Sequence, residues 1–271
     1  MKELIFPDGP SKLKGEEEIR ALKRLNNQPH EHLIRLLACY MYDDHYHMIF
    51  PWADGNLQEL WNLTDIHRAK RDPQLVRWMS SQVVGLADAL LKIHRCESSS
   101  NQQDKTYGRH GDLKPQNILW FKDRSFPEND PRGVLKIADF GLTEFHNLHT
   151  VDVRISAVLG FTDTYKAPES EVTRVISPQY DIWSFGCILL QFVDWFMFGW
   201  DDGVDRFSEA RAAESERGSS IKNDKFHLVE TKNARLHQFV GKMKQSVSVV
   251  SISRFPHILP LLTSPIRRCR E

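Results

Sequence analysis

The stretch that decides the reading is His110-Gly111-Asp112-Leu113-Lys114-Pro115-Gln116-Asn117, followed 22 residues after Asn117 by Asp139-Phe140-Gly141. Within eight residues it supplies a carboxylate, an ammonium and a carboxamide, and the later triplet adds a second carboxylate. Phosphoryl transfer from a magnesium nucleotide needs these groups: a carboxylate to orient a hydroxyl, a cation beside the migrating phosphoryl, and oxygen ligands for the metal. Asp139 follows the apolar run Val134 to Ala138, so its carboxylate is delivered from a strand end. Taken singly, Asp112 and Asp139 also fit ordinary turn or cap residues.

Outward from this centre, Ile118 to Phe121 and Val134 to Ala138 flank a turn rich in Pro and Asp and predict a hairpin. From Pro73, the recurrence of Leu75, Met79, Val83, Leu86, Leu90 and Ile93 every three or four residues predicts a helix. A second apolar helix follows Pro178, with Ile182, Phe185, Leu189 and Phe192 on helical spacing. The run Cys187 to Trp200, interrupted by Gln191 and Asp194, reads as a buried core helix rather than a membrane span. Upstream, Ile19, Leu22 and Leu25 predict a short amphipathic helix over Glu16 to Leu25, ended by Asn26-Asn27-Gln28-Pro29. Strands are expected over Leu33 to Met41 and Tyr46 to Phe50, with Gly55-Asn56 opening a connection. Residues 97–108 and 201–225 are polar and read as loops or insertions, 226–240 as weakly helical, and 246–253 as a strand.

Length and composition agree with one large domain or two lobes around a cleft: 271 residues, 41% hydrophobic and 27% charged. Lys plus Arg and Asp plus Glu are equal at 36 each, so no global field draws the chain to nucleic acid or an anionic membrane. Cys39, Cys96, Cys187 and Cys269 show no metal spacing or disulfide framework, and reduced thiols in an intracellular setting, cytoplasmic or nuclear, are expected. No secretory signal pattern opens the chain.

The segment 110–117 resembles the catalytic loop of eukaryotic protein kinases. Asp139-Phe140-Gly141 resembles that family's DFG triplet, Ala167-Pro168-Glu169 its APE triplet, and Asp181-Ile182-Trp183-Ser184-Phe185-Gly186 the start of its central helix, all in the family's order. The resemblance covers roughly residues 1–200, and a weaker one points to fungal kinase-like proteins. It implies an α+β, bilobal protein-kinase-like fold with a truncated N-terminal β-lobe (1–53), a mainly helical C-terminal lobe (54–245) and an atypical tail (246–271). It implies a serine/threonine kinase using ATP and Mg²⁺ on a protein substrate, with no nucleic-acid or membrane partner and an oligomeric state left open.

By the same resemblance, Asp112 orients the hydroxyl, Lys114 stabilises the migrating group, Thr162 contacts both, and Asn117 with Asp139 binds Mg²⁺. Lys114 together with Thr162 is the serine/threonine pattern rather than the tyrosine one. Glu18 stands where a helix glutamate pairs with a strand lysine, although Glu16 and Glu17 beside it also suit a solvated acidic face. Phe50, Pro51 and Trp52 resemble the hinge against which adenine lies, and Phe50 equally suits core packing. Lys2, sixteen residues before Glu18, is either the phosphate-contacting lysine or a solvated terminal side chain.

The chain also departs from the family. Before Gly55 the only glycines are Gly9 and Gly15, so no glycine-rich loop covers the phosphates, the chain is expected to begin inside the third strand, and nucleotide binding is expected to be weak. Gly111 replaces the arginine that pairs with a phosphorylated activation segment, so phosphorylation at Ser156 or Thr150 is expected to be dispensable. Glu169 lacks a clear arginine partner, Arg254 being one candidate. Two other readings follow: a pseudokinase or interaction module without turnover, and a small-molecule phosphotransferase, the latter opposed by Lys114, the DFG triplet and the APE triplet.

Overall fold

The computed structural model describes residues 2–4, 10–43, 45–63, 73–95, 106–122, 130, 132–140, 144–147, 153–154, 163–172, 175–216, 224–230 and 233–236. A short strand, β1 (Lys2–Leu4), precedes helix α1 (Pro10–Asn26). Pro10 suits a first helical turn because its missing N–H is not needed there, and Lys23 and Arg24 sit favourably at the negative end of the helix dipole. The expected helix over Glu16 to Leu25 is therefore present but starts six residues earlier. Its Ile19, Leu22 and Leu25 are buried, as their spacing requires.

Of the expected strand Leu33 to Met41, only its second half forms β2 (Ala38–Tyr42), which pairs antiparallel with β3 (His45–Ile49). Strand β1 takes the other edge of β3, with Lys2 opposite Met48, giving the order β1-β3-β2. Residues before Ala38 are irregular because their backbone groups bond elsewhere. Ile34 N–H donates to the Ile137 carbonyl at 2.9 Å, and Ile137 N–H donates to the His32 carbonyl at 2.8 Å.

Gly55-Asn56 is not a mere connection: it forms β4 (Gly55–Asn56), on the edge of a second sheet. Asn56 then caps α2 (Leu57–Asn62), its Oδ1 accepting from Glu59 N–H while the Glu59 carboxylate accepts from Asn56 N–H. Helix α3 (Pro73–His94) follows as expected, burying Leu75, Trp78, Leu86, Leu90 and Ile93. Part of the expected 97–108 insertion is strand β5 (Thr106–Arg109); the rest lies outside the described residues.

The predicted hairpin is present as β6 (Ile118–Phe121) and β7 (Val134–Ile137), completing the sheet β4-β6-β7. Strand β8 (Glu144–Asn147) pairs antiparallel with β5, and β9 (Val153–Arg154) with β10 (Val175–Ile176), the latter beyond the short helix α4 (Glu169–Val172).

Helix α5 (Gln179–Phe198) is the centre of the helical part. It is long and apolar enough to cross a bilayer by composition, yet Tyr180, Phe185, Ile188, Phe192 and Trp195 are buried inside the protein, as the core-helix reading expects. Phe192 meets Trp78 edge-on at 6.1 Å and Trp61 at 5.8 Å, and the Trp195 indole N–H donates to the Trp61 carbonyl at 2.8 Å. Each such buried ring contributes roughly 2–3 kcal/mol, so α2, α3 and α5 are locked as one unit. Gly199, at φ 88°, ends the helix in a conformation L side chains disfavour.

Two expectations for the carboxyl-terminal part are corrected. Residues 201–225 are not simply a loop, since a π-helical turn (Trp200–Asp205) leads into α6 (Arg206–Glu216). The sequence misleads there because Arg211 reads as surface, whereas its guanidinium is fully buried against the edge-on pair of Phe207 and Phe226 rings, 4.3 and 4.1 Å from their centroids. Residues 226–240 are not helical where described: β11 (His227–Glu230) and β12 (Asn233–Leu236) form a hairpin, cross-strand pairing overriding weak local helix preference. The strand expected over 246–253 lies outside the described residues.

The fold is thus α+β, with few strands near the amino terminus and a helical carboxyl-terminal part.

Candidate active site

The loop 110–117 is built around Asp181, the first acidic residue of α5, whose side chain has no exposed surface. Its carboxylate accepts from His110 N–H at 2.7 Å, from Gly111 N–H at 2.9 Å and from the His94 ring at 2.9 Å. Burial alone would raise the Asp181 carboxyl. The hydrogen bonds from His94 and the Gly111 N–H help to outweigh burial, and the carboxyl is held below the usual carboxylate range. Asp181 is thereby kept as an anion that fixes two consecutive backbone amides.

Fixing both amides forces the backbone between them. Gly111 lies at φ 85°, in the left-handed region where a side chain costs roughly 1–2 kcal/mol. Glycine here therefore suits the geometry as well as removing an arginine. His110 is also fully buried. Its Nε2 faces the Ala138 carbonyl at 3.0 Å and its Nδ1 faces the Asp112 N–H at 3.3 Å. A carbonyl can only accept and an N–H can only donate, so the neutral tautomer protonated on Nε2 satisfies both.

Asp112 then presents a side chain only 12% exposed, with Lys114 Nζ 2.7 Å from Oδ2. Pro115 opens the tight turn Pro115–Asn117, closed by Asn117 N–H donating to the Lys114 carbonyl at 2.9 Å. The turn aims Asn117 back at Asp112: its Nδ2 donates to the Asp112 carbonyl at 2.9 Å and to Oδ2 at 3.2 Å. With its NH₂ so committed, Asn117 is oriented by its partners, leaving Oδ1 as the amide's acceptor atom.

Asp139 is brought alongside through the backbone, because Ala138 N–H donates to the Asn117 carbonyl at 2.8 Å. Asp139 is exposed and sits at φ 62°, a left-handed conformation that aspartate tolerates better than most residues. Asp112, Asn117 and Asp139 therefore share one neighbourhood, as the sequence motifs require.

Asn117 and Asp139 line a cavity of about 420 Å³ together with Glu18, Phe50, Pro51 and Trp52. Leu119 and Ala138 add apolar wall. Phe50 is half-buried and also packs on the core, so its two readings are compatible; Trp52 is 90% exposed at the rim. Glu18, midway along α1, is buried and lines this space. Asp112 and Lys114 stand outside the lining, beside Asn117. Lys2 is placed by its backbone on β1, its side chain being outside those described; Thr162, Ser156, Thr150 and Arg254 also lie outside the described residues. Among the described residues no group of three His, Cys, Asp or Glu converges, and the Asn117 amide and the Asp139 carboxylate are oxygen donors on the cavity wall.

Sequence reasoning missed the roles of Asp181 and His94. The available signal was an aspartate at the start of a helix otherwise given over to apolar residues, directly after Pro178. The carboxyl-terminal strap was missed as well. Glu171 on α4 bonds Lys225 and the His227 ring, the latter at 3.2 Å. The His227 hydrogen bond, against burial and with Lys225 helping, pulls the Glu171 carboxyl down to about 2. Burial pushes the Glu169 carboxyl up, its own backbone N–H and His227 offsetting part of this.

The protein kinase domain family matches residues 9–248. The chain is 31% identical over 176 residues to the serine/threonine-protein kinase unc-51 of Caenorhabditis elegans, covering 65% of this chain and 18% of that protein. It is 28% identical over 176 residues to the serine/threonine-protein kinase nekl-2 of the same organism, covering 65% and 43%. Over 164 residues it is 29% identical to the cAMP-dependent protein kinase catalytic subunit 2 of Drosophila melanogaster, covering 60% and 36%. The matched segments thus span less than half the length of these relatives.

Proposed function

The chain belongs to the eukaryotic protein kinase superfamily, serine/threonine type, and from that premise we propose that it transfers the γ-phosphoryl of ATP to serine or threonine hydroxyls of protein substrates. The observation that carries this reading is the chain of hydrogen bonds from Asp112 through Asn117 to Ala138, next to Asp139, at the edge of the 420 Å³ cavity. Residues 1–53 would form the strand-bearing lobe, 54–245 the helical lobe and 246–271 a tail.

Mg²⁺ fits the donors present: Asn117 Oδ1 and the Asp139 carboxylate are hard oxygen ligands, and the amide is oriented by its bonds to Asp112. Bound there, the ion supplies neutralisation of phosphate charge. The protein's own residues do the rest. Asp112 orients the incoming hydroxyl and receives its proton as the oxygen bonds to the γ-phosphorus. The bond to the bridging oxygen breaks and ADP leaves. Lys114, 2.7 Å from Asp112, offers positive charge to the migrating group. Phe50, Pro51 and Trp52 bound the part of the cavity suited to the base, and Glu18 faces the phosphate end.

The test is transfer from radiolabelled ATP to a generic protein substrate. Asp112→Asn should lower transfer roughly 10²–10⁴-fold while leaving the thermal shift caused by magnesium nucleotide in place; full activity in that variant would refute the assignment. A second reading, which the same assay can return, is an interaction module without turnover. No transfer by the wild-type chain, with nucleotide binding retained or lost, would select it.

A further inference from the structure

Next to the cavity lined by Asn117 and Asp139 lies a second one of about 330 Å³, and Ile34 and Pro51 form part of the wall of both. Its other apolar walls come from Leu25 and Leu33. The frame around it is fixed rather than loose. Asn26 at the end of α1 donates to the Leu36 carbonyl at 2.6 Å and accepts from Leu36 N–H at 3.1 Å. The His30 ring lies 3.0 Å from the Asp88 carboxylate, and Lys92 Nζ donates to the Pro29 carbonyl at 3.3 Å. A preformed apolar space of this size, bounded by a few polar groups, is the ordinary form of a small-molecule site.

The polar groups give the ligand's charge. Lys136 on β7 is half-buried, and among the described residues its ammonium bonds only the neutral Glu31 carbonyl oxygen. Burial lowers its pKa, and the more distant Glu31 carboxylate only partly restores it, as for a cation short of a counter-ion. Arg35 is exposed on the same cavity and unpaired among the described residues. Glu31 is the one carboxylate on the lining, so the site offers two cations against a single anion and disfavours a multiply charged ligand.

We infer that this cavity binds a small organic monoanion, an aryl carboxylate, with its carboxylate on Lys136 and Arg35 and its apolar body against Leu33, Ile34 and Pro51. Because Ile34 and Pro51 are shared walls, occupancy there would press on the same side chains that bound the proposed nucleotide cavity.

The test is calorimetry on the whole chain with naphthoate as probe and naphthyl methanol as its neutral counterpart, without nucleotide. Failure here therefore leaves the phosphoryl-transfer reading to its own Asp112→Asn assay. Naphthoate should bind and the alcohol should bind roughly tenfold or more weakly. Lys136→Met should weaken naphthoate by a similar roughly tenfold factor, Lys136→Arg should restore it to within roughly threefold, and Arg35→Ala should cost roughly two- to fivefold. A non-hydrolysable ATP analogue should leave naphthoate bound. Equal binding of the alcohol, undiminished binding in Lys136→Met, displacement by the analogue, or no binding at all would overturn the proposal.

Discussion

The catalytic loop and the carboxyl-terminal strap are both held by a single carboxylate, and they are held in opposite ways. Asp181 grips residues 110 and 111 largely through backbone N–H groups, which do not titrate, from a position with no exposed surface. Glu171 grips residues 225 and 227 through side-chain cations, with a quarter of its own side chain exposed. The first arrangement fixes backbone geometry through two neighbouring N–H groups. The second supplies binding energy that depends on charge and is screened by water.

Several substitutions would break or sharpen this contrast. The largest effect should come from Asp181→Asn, which offers one acceptor where three donors converge and turns an NH₂ toward one of them. It should cost roughly 3–5 kcal/mol in chemical denaturation and abolish phosphoryl transfer; a loss under about 1 kcal/mol would show that the loop holds itself.

The strap should instead announce itself through pH. The Glu171 carboxyl stands at about 2 in the fold against an ordinary 4.5, so its contribution is complete above 4.5 and fades as pH falls toward about 2. Asp194 runs the other way: burial, opposed by Arg211, pushes its carboxyl from 3.8 up to about 6. Its penalty applies above about 6 and is relieved as pH falls from there toward 3.8. Stability should therefore rise on going from neutral to mildly acidic pH and fall below about 4.5. Glu171→Gln should flatten the acid limb and cost about 1–2 kcal/mol at neutral pH. Asp194→Asn should reduce the rise, leaving the part that comes from the raised Glu169 carboxyl. Unfolding free energies measured across pH check both, and an unchanged profile in either variant would reject its assignment.

Gly111→Arg should have a smaller effect, about 1–2 kcal/mol from the left-handed backbone. A thermal midpoint equal to wild type would show that the loop can relax. Smallest of all, Ser156→Ala and Thr150→Ala should leave phosphoryl transfer within roughly twofold, because Gly111 carries no guanidinium to receive a phosphate. A large loss restored by acidic replacements would show that another cation plays that part.

The same contrast explains what could be read from residues alone. His110 to Asn117 and Asp139 were legible because their residue types and order carry the chemistry and the family resemblance, and part of the loop is also local: Pro115 opens the turn and Asn117 folds back five residues onto Asp112. Helices α3 and α5 were legible from apolar periodicity. Asp181 and His94 were not, because they act on each other across 87 positions in the chain and on residues 110 and 111 across about 70. Arg211 concealed α6, since a guanidinium buried against the Phe207 and Phe226 rings has no signature in composition. The hairpin of β11 and β12 depends on contacts of Lys225 and His227 with Glu171, more than fifty positions away.

The clasp between Asn26 and Leu36 has a mechanical meaning. It anchors one end of α1 to a segment that Ile34 and His32 already tie to Ile137, and so to the sheet beneath the helical half. Glu18 rides eight residues away, roughly 12 Å along the axis. With that end pinned, a tilt of about 10° at Asn26 would carry Glu18 about 2 Å.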